Sequence, residues 1–171
     1  MKIIIAGYPG VGKTTTILNK GLLTKDMESS NSHWVIDGNG KKIPNPEWPG
    51  NYVQAIIDDA QYKDNVVGLY TLCSTHRDVL LELVRRKIPF IIYAPATKEY
   101  AMGRYEARGN TPEFIEKLDK NWDTYMVDLD SYGMHVIRSD EYLSEFLEAA
   151  GTYERLAEII KLSENGYNLL N

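Results

Sequence analysis

The residues with the clearest chemistry lie close to the N-terminus. Gly7-Tyr8-Pro9-Gly10-Val11-Gly12-Lys13-Thr14 satisfies the spacing G-x-x-x-x-G-K-[ST] of a phosphate-binding loop. Glycines in this pattern let the backbone wrap closely round a phosphate, so that several N–H groups point inward, and a following helix adds its positive N-terminal end. Gly7, Gly10, Val11 and Gly12 are the expected cradle. Lys13 is expected at the β and γ phosphates, the Thr14 hydroxyl on Mg²⁺ and Thr15 at the α phosphate. The loop therefore predicts ATP or GTP as ligand.

Other residues bear on where such a phosphate goes. Arg104 and Arg108, in GRYEARGN, are four apart and share one helical face. With Gly103 and Gly109 as flex points they suit a cationic lid over a transferring phosphoryl group, or else they are solvated partners of Glu99 or Glu106. Asp26-Met27-Glu28 offers two carboxylates that could orient a hydroxyl or hold a metal, although Asp26 would equally suit a cap. Arg77, in CSTHRD, is either a holder of the acceptor phosphate or a helix-start arginine facing solvent. Between His33-Trp34 and Tyr52, Trp48 is placed to stack on a base and Asn51 or Asn45 to read its edge; alternatively, the tryptophans pin the loop to the core. Trp122 and Tyr125 fall at helical spacing with Leu118, which reads as core. The three histidines are scattered and Cys73 is alone, so neither a metal cluster nor an internal disulfide is expected.

Two nucleotide-dependent classes fit poorly. A signalling GTPase needs N-K-x-D on a late strand, whereas Asn19-Lys20 lies in an early helix and lacks the Asp. A motor ATPase places an acid at the end of a central strand, but VVGLYTLCS runs into Thr75 and His76, and the first acid is Asp78.

Positioning these residues requires alternating strands and helices. The 171 residues, 43% hydrophobic and 25% charged, suit one domain, 1–171, with a single core. Apolar runs at 2–6, 22–27, 66–74, 88–95 and 134–139 read as five strands, and the amphipathic stretches 13–20, 51–61 and 78–87 as helices. Breakers crowd residues 29–50, an excursion loop on the substrate side with a hairpin near Asp37–Gly40. From Lys98 the pattern turns helical through Lys98–Arg108 and Thr111–Tyr132, with Thr111 as cap, Pro112 in the first turn and a lid over about 98–125. Residues 141–150 and 153–161 close the chain as two more helices. The expectation is an α/β fold: a parallel five-stranded sheet with helices on both faces and a helical lid. A net charge of −5 gives no broad basic footprint for nucleic acid. No run approaches the roughly 20 apolar residues of a membrane span, and the apolar start is too short for a signal peptide, so a cytoplasmic location is expected.

Together, the phosphate loop, the acid pair and the R-x-x-x-R segment resemble the nucleoside monophosphate kinase-like branch of P-loop kinases, which includes adenylate, shikimate and gluconate kinases. DMESS, NPEWPGNYVQAI, CSTHRDVL, RYEARGN and NWDTYM are more closely similar to small bacteriophage P-loop proteins described as nucleotide kinase-like. The resemblance covers the chain to about Leu147. It implies a P-loop NTPase fold and an ATP- and Mg²⁺-dependent phosphotransferase acting on a nucleoside or deoxynucleoside monophosphate, in the host cytoplasm if phage-encoded. It also implies that Asp26 or Glu28 contacts acceptor or metal. The Asp-Gly-x-Pro-Arg stretch of adenylate kinases is absent, since Cys73-Ser74-Thr75-His76-Arg77 stands in its place. Two alternatives remain open: a kinase acting on a nucleic-acid hydroxyl, at a 5′ end or a modified base, and an ATP-binding regulatory protein without transfer activity.

Overall fold

A computed structural model describes residues 1–18, 24–61 and 68–169. Five parallel strands form the central sheet: β1 (Ile3–Gly7), β2 (Lys25–Asp26), β5 (Tyr70–Ser74), β6 (Ile91–Ala94) and β7 (His135–Arg138). Their order is β2-β5-β1-β6-β7. Successive side chains of a strand point to opposite faces, and all five residues of β1 are buried. Both faces of the central strand are therefore covered. Ile3, Ile4 and Ile5 supply β-branched bulk there, each worth about 1.5–3 kcal/mol of burial.

The five expected strands are present, although the second is cut to two residues; expected positions 19–20, 22–23 and 66–67 lie outside the described residues. Within the excursion a short helix, α2 (Ser30–His33), precedes an antiparallel hairpin of β3 (Trp34–Ile36) and β4 (Lys42–Pro44). Asp37 Oδ1 ties its turn by accepting from the N–H groups of Asn39 and Lys41. The helix α3 (Gly50–Gln61) turns Val53, Ile56, Ile57 and Ala60 inward, the face that their spacing predicts, and buries Tyr52 beside them.

Around the sheet lie α1 (Lys13–Leu18), α4 (Arg77–Arg85), α5 (Lys98–Ala107), α6 (Pro112–Lys120), α7 (Trp122–Asp130), α8 (Leu143–Glu148) and α9 (Thr152–Leu169). Thr111 caps α6 by accepting from the Phe114 N–H, with Pro112 in the first turn. The expected single helix over 111–132 is in fact two. Asn121 closes α6 and opens α7 at φ −103° and ψ 9°, and its side-chain amide donates to the Lys117 carbonyl at 2.7 Å, competing with the helical backbone. The break lets α7 turn back toward β7. Among the described residues, no helix is long and apolar enough to cross a membrane.

Because β1 has its neighbours β5 and β6 on opposite sides, the carboxyl ends of the strands surround a point where the connections diverge. Ligands of open α/β sheets bind at such a point. Gly7, Asp26, Ser74 and Ala94 all end strands there.

Candidate functional site

The Gly7–Thr14 loop leaves β1 at this point and turns into α1. Gly10 and Gly12 adopt φ +85° and +94°, a region open to glycine and strained for other residues. Space makes the same demand. A Cβ at Gly10 would lie 2.8 Å from the Tyr105 ring, and one at Gly12 would lie 2.8 Å from the Tyr142 ring. Two aromatic side chains from distant parts of the chain thus press on the loop. Tyr105 also donates from its hydroxyl to the Pro9 carbonyl at 2.9 Å, and Leu143 N–H donates to the Val11 carbonyl at 2.9 Å. The Val11 side chain is core, which leaves only its backbone for the cradle expected of it.

Lys13 folds back over the loop and donates to the Gly7 carbonyl at 2.6 Å. Burial lowers its pKa, a shift opposed by the negative field of Asp26. Asp26 is itself shifted upward, first by burial and further by Glu28, with Lys13 pulling it down. The two are close enough to influence each other, yet among the described residues Lys13 makes no ion pair.

A cleft of about 500 Å³ opens beside Lys13, walled by the Gly7–Thr14 loop, by Asp26, Glu28 and Ser29 after β2, and by Arg104, Arg108 and Asn110 from the end of α5. Thr14 and Thr15 are exposed on its floor. The arginines therefore face the loop, and neither forms an ion pair with Glu99 or Glu106. Arg104 lies over the Tyr142 ring, 3.7 Å from its centroid. Arg104 Nε and Asn110 Oδ1 are buried without a hydrogen-bond partner, a cost that structures seldom leave uncompensated.

A second cleft of about 450 Å³ also borders Lys13. Its walls are Gly7 and Tyr8, the Ser74–Arg77 turn, and Leu118, Thr124, Tyr125, Asp128 and Leu129 from α6 and α7. Pro9, Lys13, Ser74 and His76 border both clefts. Arg77 faces this second space and holds Asp128 at 3.4 Å.

Trp48 and Asn51 stand apart from both clefts. The Trp48 ring stacks on His33 at 4.4 Å and on Tyr52 at 5.3 Å, and its Nε1 donates to Asp78. Asn51 donates to the Ser32 carbonyl at 3.0 Å and accepts from the Tyr52 N–H at 2.7 Å. Their contacts are those of residues pinning the loop to the core.

The sequence reading did not single out Tyr105, Asn110, Phe114, Ser74 and Tyr142. Asn110 had one local signal, its position two residues after Arg108 and next to Gly109. Nothing short of the fold brings Tyr142 to Gly12. The chain matches no protein-family model, and a search of curated proteins finds no match.

Proposed function

We propose that the chain is an ATP-dependent phosphotransferase that moves the γ phosphoryl group to a nucleoside or deoxynucleoside monophosphate, on a P-loop NTPase fold. The observation that carries this reading is the arrangement about Lys13. A desolvated ammonium, two inward-facing guanidinium groups and a glycine cradle converge on one cleft. Phosphoryl transfer asks the protein for little beyond positioning and charge stabilisation, and these groups provide both.

The orphaned Arg104 Nε and Asn110 Oδ1 fit a bound polyphosphate and its ribose, since a guest there would relieve buried unpaired groups. Thr14 and Asp26 are the side chains that would hold Mg²⁺. Mg²⁺ is usually held by one or two carboxylates together with phosphate oxygens, and among the described residues no group of three or more metal-ligating side chains occurs. When bound, the ion supplies neutralisation of the phosphate oxygens. Lys13 would hold the transferring group, Arg104 and Arg108 would balance its charge, and the loop glycines would let backbone N–H groups approach.

A second reading, transfer to a nucleic-acid hydroxyl, draws support from Asp26. A carboxylate whose pKa is raised by burial is better suited to accept a hydroxyl proton. The regulatory alternative is weakened by the lid arginines, which line the cleft. The deciding experiment is transfer of labelled γ phosphate from ATP with Mg²⁺ to ribo- and deoxynucleoside monophosphates and to 5′-hydroxyl DNA and RNA. Label on a monophosphate supports the first reading. Label confined to polymer transfers the proposal to the second, and no label on any acceptor removes the enzyme reading for these acceptors.

A further inference from the structure

We infer that Tyr142 is a positioning residue of the cleft: its ring holds the Arg104 guanidinium over the Gly7–Thr14 loop and leaves the N–H donors free for phosphate oxygens. This rests on the phosphotransferase reading and adds to it a residue that no motif contains. The ring touches the loop and the arginine together. A Cβ on Gly12 would come within 2.8 Å of its Cδ1 atom, and the Arg104 guanidinium carbon lies 3.7 Å from its centroid.

The place of the ring is set by its own stretch of chain. Tyr142 stands immediately before α8, where its N–H donates to Glu145 Oε2 at 3.2 Å and its carbonyl accepts from the Phe146 N–H at 3.0 Å. The next residue ties this turn to the loop, because Leu143 is fully buried and its N–H donates to the Val11 carbonyl at 2.9 Å. Arg104 is brought to the ring by α5. Tyr105 fastens that helix to the same loop through its hydroxyl bond to the Pro9 carbonyl at 2.9 Å.

How an arginine is held decides what it can still bind. A guanidinium carries five N–H donors in one plane, and carboxylate or carbonyl partners use them up. Arginines away from the cleft are held in that way: Arg85 and Arg86 on Glu82 at 2.7 Å, and Arg138 on Asp130 and the Met126 carbonyl, both at 3.0 Å. An aromatic face instead attracts the cation through its quadrupole and takes none of the in-plane donors. Arg104 is held by such a face. Among the described residues it forms no ion pair, and its Nε is buried without a hydrogen-bond partner.

Arg108 provides the contrast. It lines the same cleft four residues on, but it is exposed and, among the described residues, has no ring beneath it. A guest therefore meets Arg104 already in place and must itself order Arg108. Orientation supplied in advance by the protein is what phosphoryl transfer gains most from.

The test is a double-mutant cycle of Tyr142→Leu and Arg104→Ala in the full chain, read by calorimetric titration with a non-hydrolysable ATP analogue and Mg²⁺. Leucine keeps apolar bulk against Gly12 and removes the aromatic face, Tyr142→Met does the same with an unbranched chain, and Tyr142→Phe keeps the face. Thermal melting checks that each variant folds. The expected result is an analogue Kd raised about five- to tenfold by Tyr142→Leu, the scale of one partly desolvated cation–π contact, and near the parent value in Tyr142→Phe. Added to Arg104→Ala, the leucine change is expected to raise Kd by less than about twofold. Losses that add in full would overturn the assignment and make the ring a packing residue of the loop. So would a loss in Tyr142→Phe as large as that in Tyr142→Leu, or a Kd that is unchanged or lower in Tyr142→Leu. Labelled transfer separates this inference from the reading beneath it. A cycle that holds in binding while the parent chain labels no acceptor would remove the phosphotransferase reading and leave Tyr142 its role, whereas a parent chain that does not bind the analogue would overturn both.

Discussion

Two lysines flank the central strand, one at each end, and their surroundings differ. Before β1, Lys2 reaches Asp59 at 3.2 Å, and the same carboxylate takes Lys25 at 3.5 Å and the Thr71 hydroxyl at 2.7 Å. After β1, Lys13 donates to the Gly7 carbonyl and, among the described residues, forms no ion pair, although Asp26 is near enough to be felt. At the amino end charge is neutralised within the chain. At the carboxyl end a desolvated cation, Arg104 and Arg108, and a carboxylate with a raised pKa line an open cleft. Groups held in such a state mark functional sites more often than structural ones, and an anionic ligand is what would neutralise them.

Removing Lys13 should separate the two ends most sharply. Lys13→Ala is expected to cut γ phosphoryl transfer by about 10²–10³-fold, the usual cost of a group aimed at transition-state charge, without lowering thermal stability, because it deletes a desolvated charge. Single-turnover transfer and a thermal melt measure the two effects; a variant that loses stability along with activity would show Lys13 to be a structural cation like Lys2. Next in size is the double change Arg104→Ala with Arg108→Ala. Its expected loss is about 10²-fold in rate with folding intact, and undiminished turnover would remove the lid from the mechanism.

The amino end should respond in the opposite way. Asp59→Ala leaves Lys2 short of its partner and the buried Thr71 hydroxyl without an acceptor. The expected cost is about 1–3 kcal/mol of unfolding free energy, read as a lower urea midpoint, with transfer unchanged below the melting temperature. A loss of transfer in the folded variant would mean that the two ends are coupled.

What the sequence disclosed follows the same division. The strand-loop-helix at Gly7–Thr14 was legible because its chemistry is local: the glycines, the lysine and the turn all lie within one stretch. The five strands were legible because buried parallel strands are continuous apolar runs, although β2, with only Lys25 and Asp26, carries almost none of that signal. The order β2-β5-β1-β6-β7 is set by packing between segments far apart, and no single segment encodes it. For the same reason the ring of Tyr142 against Gly12 could not be read in advance. The break at Asn121 depends on one side-chain hydrogen bond, which competes with a helical pattern otherwise continuous. Trp48 and Asn51 have residue types suited to base recognition, and their packing on His33 and Tyr52 and hydrogen bond to Ser32 depend on neighbours that no local pattern announces.

The smallest expected effect is also the most specific to the carboxyl end. Burial lifts the Asp26 pKa in the folded chain, while the unfolded chain keeps the ordinary value near 3.9. Between those two values the folded state binds more protons, so the contribution of Asp26 to stability falls as pH rises from the unfolded value through the raised one. Asp26→Asn removes that dependence. Its stability relative to the parent should therefore improve with rising pH across this window and stay level above it. Transfer moves the other way, because only the carboxylate form can serve a metal ion or accept a proton. The parent rate should climb through the raised pKa, and the asparagine variant should lack that limb. Denaturant midpoints and transfer rates for both proteins from about pH 4 to pH 8 test the pair of slopes together. Stability curves that run parallel, with the rate limb lost, would leave Asp26 a role in chemistry but no strain in the fold. Curves that diverge while the rate limb persists would make Asp26 a buried acid that the reaction does not use.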